Sequence, residues 1–413
     1  MTVASVLERL SPAAVRERKT RLSSAASSAS PASPAAAAPA SRMDWVDMAR
    51  AGAVVAVVLF HACIGHYWAM DHAKVDAIAW WDRVNQIVTA VRMPLLFTIS
   101  GMLAAGKISR GFRRGKAIEA AVTNYYLYVV WLLVFGGMLL LAGDRPVPFQ
   151  VDALSTYLRE FYLPNSPLWY VFALALYILG FTALRRVPAA VVLSALLGLH
   201  LVATQLYTLE SPLWTRGLSF ALFFGLGVYG RPIMRAVASR PILAAAAAAG
   251  AYLVYQQLGM SALMSLKVPS LRDAALTMGL YVFAGLAMIG ITGLLARVRP
   301  YAVLGRAVGR RTLGIYVLHI PVIVVINLSA WGPFGVLRDL AATSTTIDTL
   351  YPLLITACIV PICMACQDLA PRIGLGFLFE APSWLRESVE SARTRLVEAR
   401  PVGALDEARR VTA

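Results

Sequence analysis

The sequence predicts an all-α membrane protein that crosses the bilayer about ten times, with both termini in the cytoplasm. Three observations carry that prediction. Apolar stretches of about 20 residues, each long enough for ~30 Å of hydrocarbon, recur from Met48 to Cys366. Of the 413 residues 59% are hydrophobic and only 15% charged, where a soluble domain carries about a quarter charged. The cations alternate between connections: clusters at 107–116, 185–186, 231–240 and 297–311 fall on one side. The other side holds only Lys74, Arg145, Arg159, Lys267, Arg272 and Arg338, with Arg83 at a boundary. That asymmetry is the positive-inside pattern. Membrane strands would instead show ~10-residue alternation.

In chain order, residues 1–42 form a low-complexity Ser/Ala/Pro tail with a basic patch around Arg16–Arg21, read as a disordered cytoplasmic segment. The ten apolar segments are 47–66, 84–105, 119–142, 168–184, 188–207, 213–230, 241–259, 274–295, 312–331 and 350–368. Residues 369–413 make a polar cytoplasmic tail in which "WLRESVESARTRLVEARP" has helical spacing. The net charge of +16 sits in the connections, not on a basic surface interleaved with aromatics, so nucleic acid is not an expected partner. Cys63, Cys358, Cys363 and Cys366 all fall in apolar segments. The C-x-x-C at 363–366 has no second pair and reads as small packing residues, so no metal site is expected.

Function is sought in the ionisable groups inside those segments, which cost ~2.5–3.5 kcal/mol each near a helix centre. Arg50 and His61 stand eleven residues apart on the first segment. At ~100° per residue they project within ~20° of each other, about 16 Å apart along the axis. One face thus offers an anion-binding cation and a proton acceptor, or else a snorkelling arginine and a histidine satisfied by its neighbours. Asp47, three residues before Arg50, either orients its guanidinium or serves the helix start. In "RMPLLFTISGML", Arg92 precedes Pro94, whose missing N–H breaks a helical turn, and Ser100–Gly101, which allow close helix approach. This reads as a polar cavity or as a buried pairing partner. Trp169 and Tyr170 suit an interfacial aromatic belt. His319 is either a second proton-handling group or a strut between helices. His66 and His72 fall in or near a loop and need no special account, and His200 reads as structural.

The runs "RMDWVDMARAGAVVAVVLFHA", "RMPLLFTISGML", "PLWYVFALALY", "FFGLGVYG" and "LGRAVGRRTLGIYVLHIPVI" follow one another in an order that resembles acyltransferase family 3, bacterial integral-membrane O-acyltransferases of surface and exported glycans. The resemblance spans 43–368 and implies about ten helices in the bacterial inner membrane. It implies acyl-CoA, acetyl-CoA foremost, as a donor substrate with no bound cofactor. The implied acceptor is a glycan or glycolipid hydroxyl, alongside membrane lipid and the envelope-glycan synthesis machinery as surroundings. The family's motif histidine falls on His61 and its paired arginine on Arg50, with Arg92 as the arginine before Ser-Gly; these three form the expected catalytic set. Asp47, Ser100, Trp169, Tyr316 and His319 form the expected donor- or substrate-contacting set. The chain is similar to the stand-alone form without a fused hydrolase-like domain. The alternative class is a glycolipid or small-solute transporter, which would favour an internal repeat; none is found in the sequence.

Overall fold

The computed structural model describes residues 43–398 other than 74, 115, 143–152, 206–216, 265–269 and 329–332. The expected tail at 1–42 and the last residues of the expected C-terminal tail, 399–413, lie outside the described residues. Among those described there is no strand. The helices are α1 (Asp44–Gly65), α2 (Val75–Ser109), α3 (Gly111–Arg114), α4 (Ala117–Ala142), α5 (Leu154–Arg159), α6 (Trp169–Ala183), α7 (Ala189–Gln205), α8 (Leu218–Tyr229), α9 (Arg231–Ser239), α10 (Pro241–Met264), α11 (Leu271–Leu295), α12 (Arg299–Gly309), α13 (Thr312–Leu328), α14 (Pro333–Thr343), α15 (Thr345–Leu369) and α16 (Ser383–Glu398).

Five of these, α1, α2, α4, α11 and α15, are long and apolar enough to cross a membrane, and the number rises to seven if each of two bent pairs is one span. The pairs are α9 with α10, bent by 106°, and α12 with α13, bent by 69°. By this measure the ten expected spans are not reached. The reason is length: the segments expected at 168–184, 188–207 and 213–230 give described helices of 15, 17 and 12 residues. At ~1.5 Å per residue these cover roughly 18–26 Å, short of a ~30 Å hydrocarbon core. The all-helical, multi-pass membrane architecture holds.

α1 is the central element. Its Ala/Val run buries Ala49, Val54, Val57, Val58, Ala62 and Cys63 almost completely, and it packs against α2, α11, α12, α13 and α15. Asp44 and Asp47 lie in its first turn, where carboxylates complement the helix dipole. α12 crosses that turn at backbone contact. A Cβ on Gly309 would collide with the Asp47 carbonyl, and one on Gly305 would come within 2.8 Å of Met48 Cε. Asp44 and Arg306 close the crossing with a 2.8 Å ion pair.

α2 runs unbroken for 35 residues, roughly 52 Å. The turn expected to break at Pro94 therefore stays helical: the proline removes one donor, but packing against α8 holds the axis. Gly101 faces the Phe224 carbonyl and Gly227 faces the Thr98 carbonyl so closely that neither position has room for a Cβ. The glycines of "FFGLGVYG" thus bring two backbones together, as small residues do where helices associate in lipid.

This crossing gives a direct test. Gly227→Val forces the Thr98 backbone to move and is expected to cost at least the ~1–3 kcal/mol of an overpacked site. Gly52→Ala, which meets open space, should be neutral or slightly stabilising. Thermal unfolding of the purified protein separates the two; equal midpoints would mean that α2 and α8 do not need this contact.

Candidate active site

Four helices, α1, α2, α6 and α13, bring their polar groups to one place. On α1, His61 Nδ1 lies 3.0 Å from the Val57 carbonyl one turn back and 3.1 Å from His319 Nε2 on α13. The two imidazoles stand 4.9 Å apart between centroids, and His319 is fully buried. His319 Nδ1 is buried without a hydrogen-bond partner among the described residues, whereas His61 Nδ1 faces the Val57 carbonyl. A backbone carbonyl facing Nδ1 selects the tautomer with hydrogen on that nitrogen. His61 then donates Nδ1–H between the Val57 oxygen and the His319 Nε2 lone pair. Its own Nε2 is the basic nitrogen.

Arg92 approaches from α2. Its guanidinium carbon sits 3.8 Å above the centre of the Phe60 ring, and Nη2 donates to Thr89 Oγ1 at 3.3 Å. The Phe60 ring meets His61 edge-on at 5.1 Å. A cation over an aromatic face is held electrostatically, the more strongly when desolvated, and Arg92 is buried. Phe60 therefore lies in contact with both the Arg92 guanidinium and the His61 ring.

The other side of the site is hydroxylic. Ser100 Oγ and Tyr170 Oη are 2.7 Å apart. The Tyr170 ring packs 5.1 Å from Tyr316, and Tyr316 packs 5.8 Å from His319. Trp169 and Tyr170 correct one expectation. They do not form an interfacial belt but are buried, Trp169 against Phe97 and Phe220 and Tyr170 on Ser100. The tyrosine hydroxyl needs a partner, and the bundle interior supplies it. Asp47 is buried under α12, at the Gly309 crossing. His61, Arg92, Ser100, Trp169, Tyr316 and His319 thus belong to one connected set, while Arg50 and Asp47 stand in the first turns of α1.

Two supports were not legible in the sequence. The first is a polar lock beyond the Gly65 end of α1, where His66 and His72 turn out not to be ordinary loop residues. His66 Nδ1–H donates to Asn327 Oδ1 at 2.5 Å, and Nε2 accepts the Tyr351 hydroxyl at 2.7 Å. Asn327 Nδ2 in turn donates to the Gly65 carbonyl at 2.8 Å. Asp348, fully buried, accepts from Tyr67 at 2.8 Å and pairs with His72 at 2.9 Å. Buried polar groups need such partners, and these fasten α1 to α13 and α15 one turn beyond the His61–His319 contact.

The second support is Glu160, just after α5. Its buried carboxylate accepts the backbone N–H groups of Asn165, at 3.0 Å, and Ser166, at 2.9 Å. The folded loop presents the Pro167 carbonyl to the Tyr316 hydroxyl and opens α6 at Trp169. Burial raises the Glu160 carboxyl above the ordinary carboxylate range, against the opposing pull of those N–H groups. A raised acid favours the protonated native state, so its penalty is full above the folded pKa and vanishes below the unfolded value of about 4.3. Thermal midpoints of the wild type should therefore rise, through this residue, as pH falls across that window. Glu160→Gln should remove the component, and an unchanged pH slope in that variant would contradict it.

The model of one protein family, described as an acyltransferase domain, matches residues 43–367. No curated protein and no solved structure matches the chain. The matched residues run from the start of α1 almost to the end of α15 and hold every residue of the connected set. The chain belongs to acyltransferase family 3, and it is a multi-pass membrane acyltransferase.

Proposed function

We propose that the protein moves an acyl group from acyl-CoA to a hydroxyl of a cell-surface or exported glycan, working in the bacterial inner membrane with both termini in the cytoplasm. The observation that carries this reading is the His61–His319 contact of 3.1 Å, with His61 Nδ1 also on the Val57 carbonyl.

In this mechanism His61 Nε2 takes the acceptor's hydroxyl proton as the oxygen attacks the thioester carbonyl. His319 Nε2 accepts His61 Nδ1–H, keeps the tautomer and shares the charge of the imidazolium, a role that a third group plays wherever a base must be oriented. Arg92 stabilises the negative oxygen of the tetrahedral intermediate. As the C–S bond breaks, the imidazolium returns the proton to the departing thiolate, so acyl ester and CoA thiol form with no net proton change. Arg50 holds phosphate groups of the donor, for which its planar fork is suited. The Ser100–Tyr170 hydroxyl pair faces the acceptor. The asymmetry of cations in the connections supports placing the Asp44 end of α1 on the cytoplasmic side.

The test is transfer of radiolabel from acetyl-CoA to a glycan acceptor by purified protein, joined to mass spectrometry of glycans from deletion and complemented strains. His61→Ala should lower transfer by about 10²–10⁴-fold in protein that still inserts. His319→Gln, whose amide oxygen can accept Nδ1–H, should retain more activity than His319→Leu; equal losses would remove the orienting role. Arg50→Lys should weaken donor binding. Full transfer by His61→Ala would overturn the mechanism, and movement of an unmodified glycolipid with no labelled product would favour transport.

A further inference from the structure

Beside the site, between α2, α8 and α11 and the neighbouring α9, lies a cavity of about 150 Å³. Its walls include Pro94, Phe223, Gly285 and Leu286, and among all its lining residues only Thr98 and Tyr281 carry polar side-chain atoms. No charged residue lines it. The volume is about five times a water molecule's ~30 Å³ share of the liquid, yet a lining so poor in polar partners does not hold water well. Room of this size and character suits a short hydrocarbon chain.

The cavity also borders the stretch of α2 that carries Arg92. Arg92, three residues before Leu95 on its wall, rests on Phe60, whose ring edges His61. Pro94, Leu95 and Thr98 lie on the turns of α2 that follow Arg92. An acyl carbonyl at Arg92 would thus have an apolar recess on the same stretch of helix. Gly285 keeps that recess open: a Cβ built there meets nothing within 4 Å.

We propose that this cavity holds the tail of the donor's acyl group and sets its length, selecting saturated chains longer than acetyl. The proposal rests on the acyl-CoA reading above. A succinyl group would bury a carboxylate without a partner and is disfavoured. Each methylene that enters is worth ~0.8 kcal/mol, or about fourfold in affinity.

The experiment measures binding of acetyl-, butyryl-, hexanoyl-, octanoyl- and succinyl-CoA to the full chain in lipid nanodiscs, with labelled transfer followed in parallel. The wild type should tighten about fourfold per methylene from acetyl until the cavity is full, with succinyl-CoA weaker than butyryl-CoA. Gly285→Leu, which fills the open space, should flatten that series. Leu286→Ala, which enlarges it, should move the tightest binding to a longer chain. A flat series in the wild type with transfer intact would assign the cavity to a bilayer lipid tail and overturn the proposal alone. A wild-type gradient left unchanged by both variants would overturn it as well. No binding of any acyl-CoA would overturn both this proposal and the donor assignment.

Discussion

An imidazole inside a helical bundle is a useful base only if its proton is on the right nitrogen, and here a backbone carbonyl decides that. His61 turns Nδ1 back on Val57, four residues earlier on its own helix, so the tautomer is set by α1 itself. His319 then meets the same nitrogen from across a helix interface. With His61 Nδ1–H directed at the Val57 carbonyl, the lone pair of the His61 ring falls on the nitrogen turned away from Val57. The rest of the site is arranged about that choice: a cation beside the ring, hydroxyls on the other flank, and an apolar recess beyond the cation.

Such a contact tolerates little sliding of α1 against α13. The structure restrains it from both ends. Near the first turn, glycines on α12 allow backbone contact with α1, and the Asp44–Arg306 pair closes it. Beyond Gly65, Asn327 bonds both the Gly65 carbonyl and His66, so one side chain of α13 grips the end of α1 twice. Tyr316, a turn from His319, is held from a third direction by the loop folded on Glu160. Polar groups buried at the margins of the bundle thus position the few that would do chemistry in its centre. Their hydrogen bonds, such as those of His66, Asn327 and Glu160, limit the cost of burying them.

The sequence was informative where the information is local. Composition and the recurrence of apolar runs are enough for a helical membrane protein. The glycines of "FFGLGVYG" carry their meaning within one or two segments. Reading failed where meaning depends on distant partners. His66 looks ordinary beside its neighbours because Asn327 and Tyr351, its partners, lie 261 and 285 residues away. Asp348 stood outside the expected segment 350–368, so its burial was not foreseen. Trp169 and Tyr170 fitted an interface by type, and only the opposing Ser100 shows why they turn inward. Among the described residues five to seven helices are long and apolar enough to span, because hydropathy reports apolar length, whereas helix length depends on where loops and bends interrupt it.

The proposed chemistry turns on the position of one proton on His61. The chain has five histidines, few enough for ¹⁵N-histidine labelling with assignment by single replacements. Nitrogen spectra of the full chain in nanodiscs at neutral pH should show His61 protonated at Nδ1 and bare at Nε2. A hydrogen-bond coupling should link its Nδ1 to the Nε2 of His319. A His61 ring protonated at Nε2, with no coupling to His319, would contradict the account.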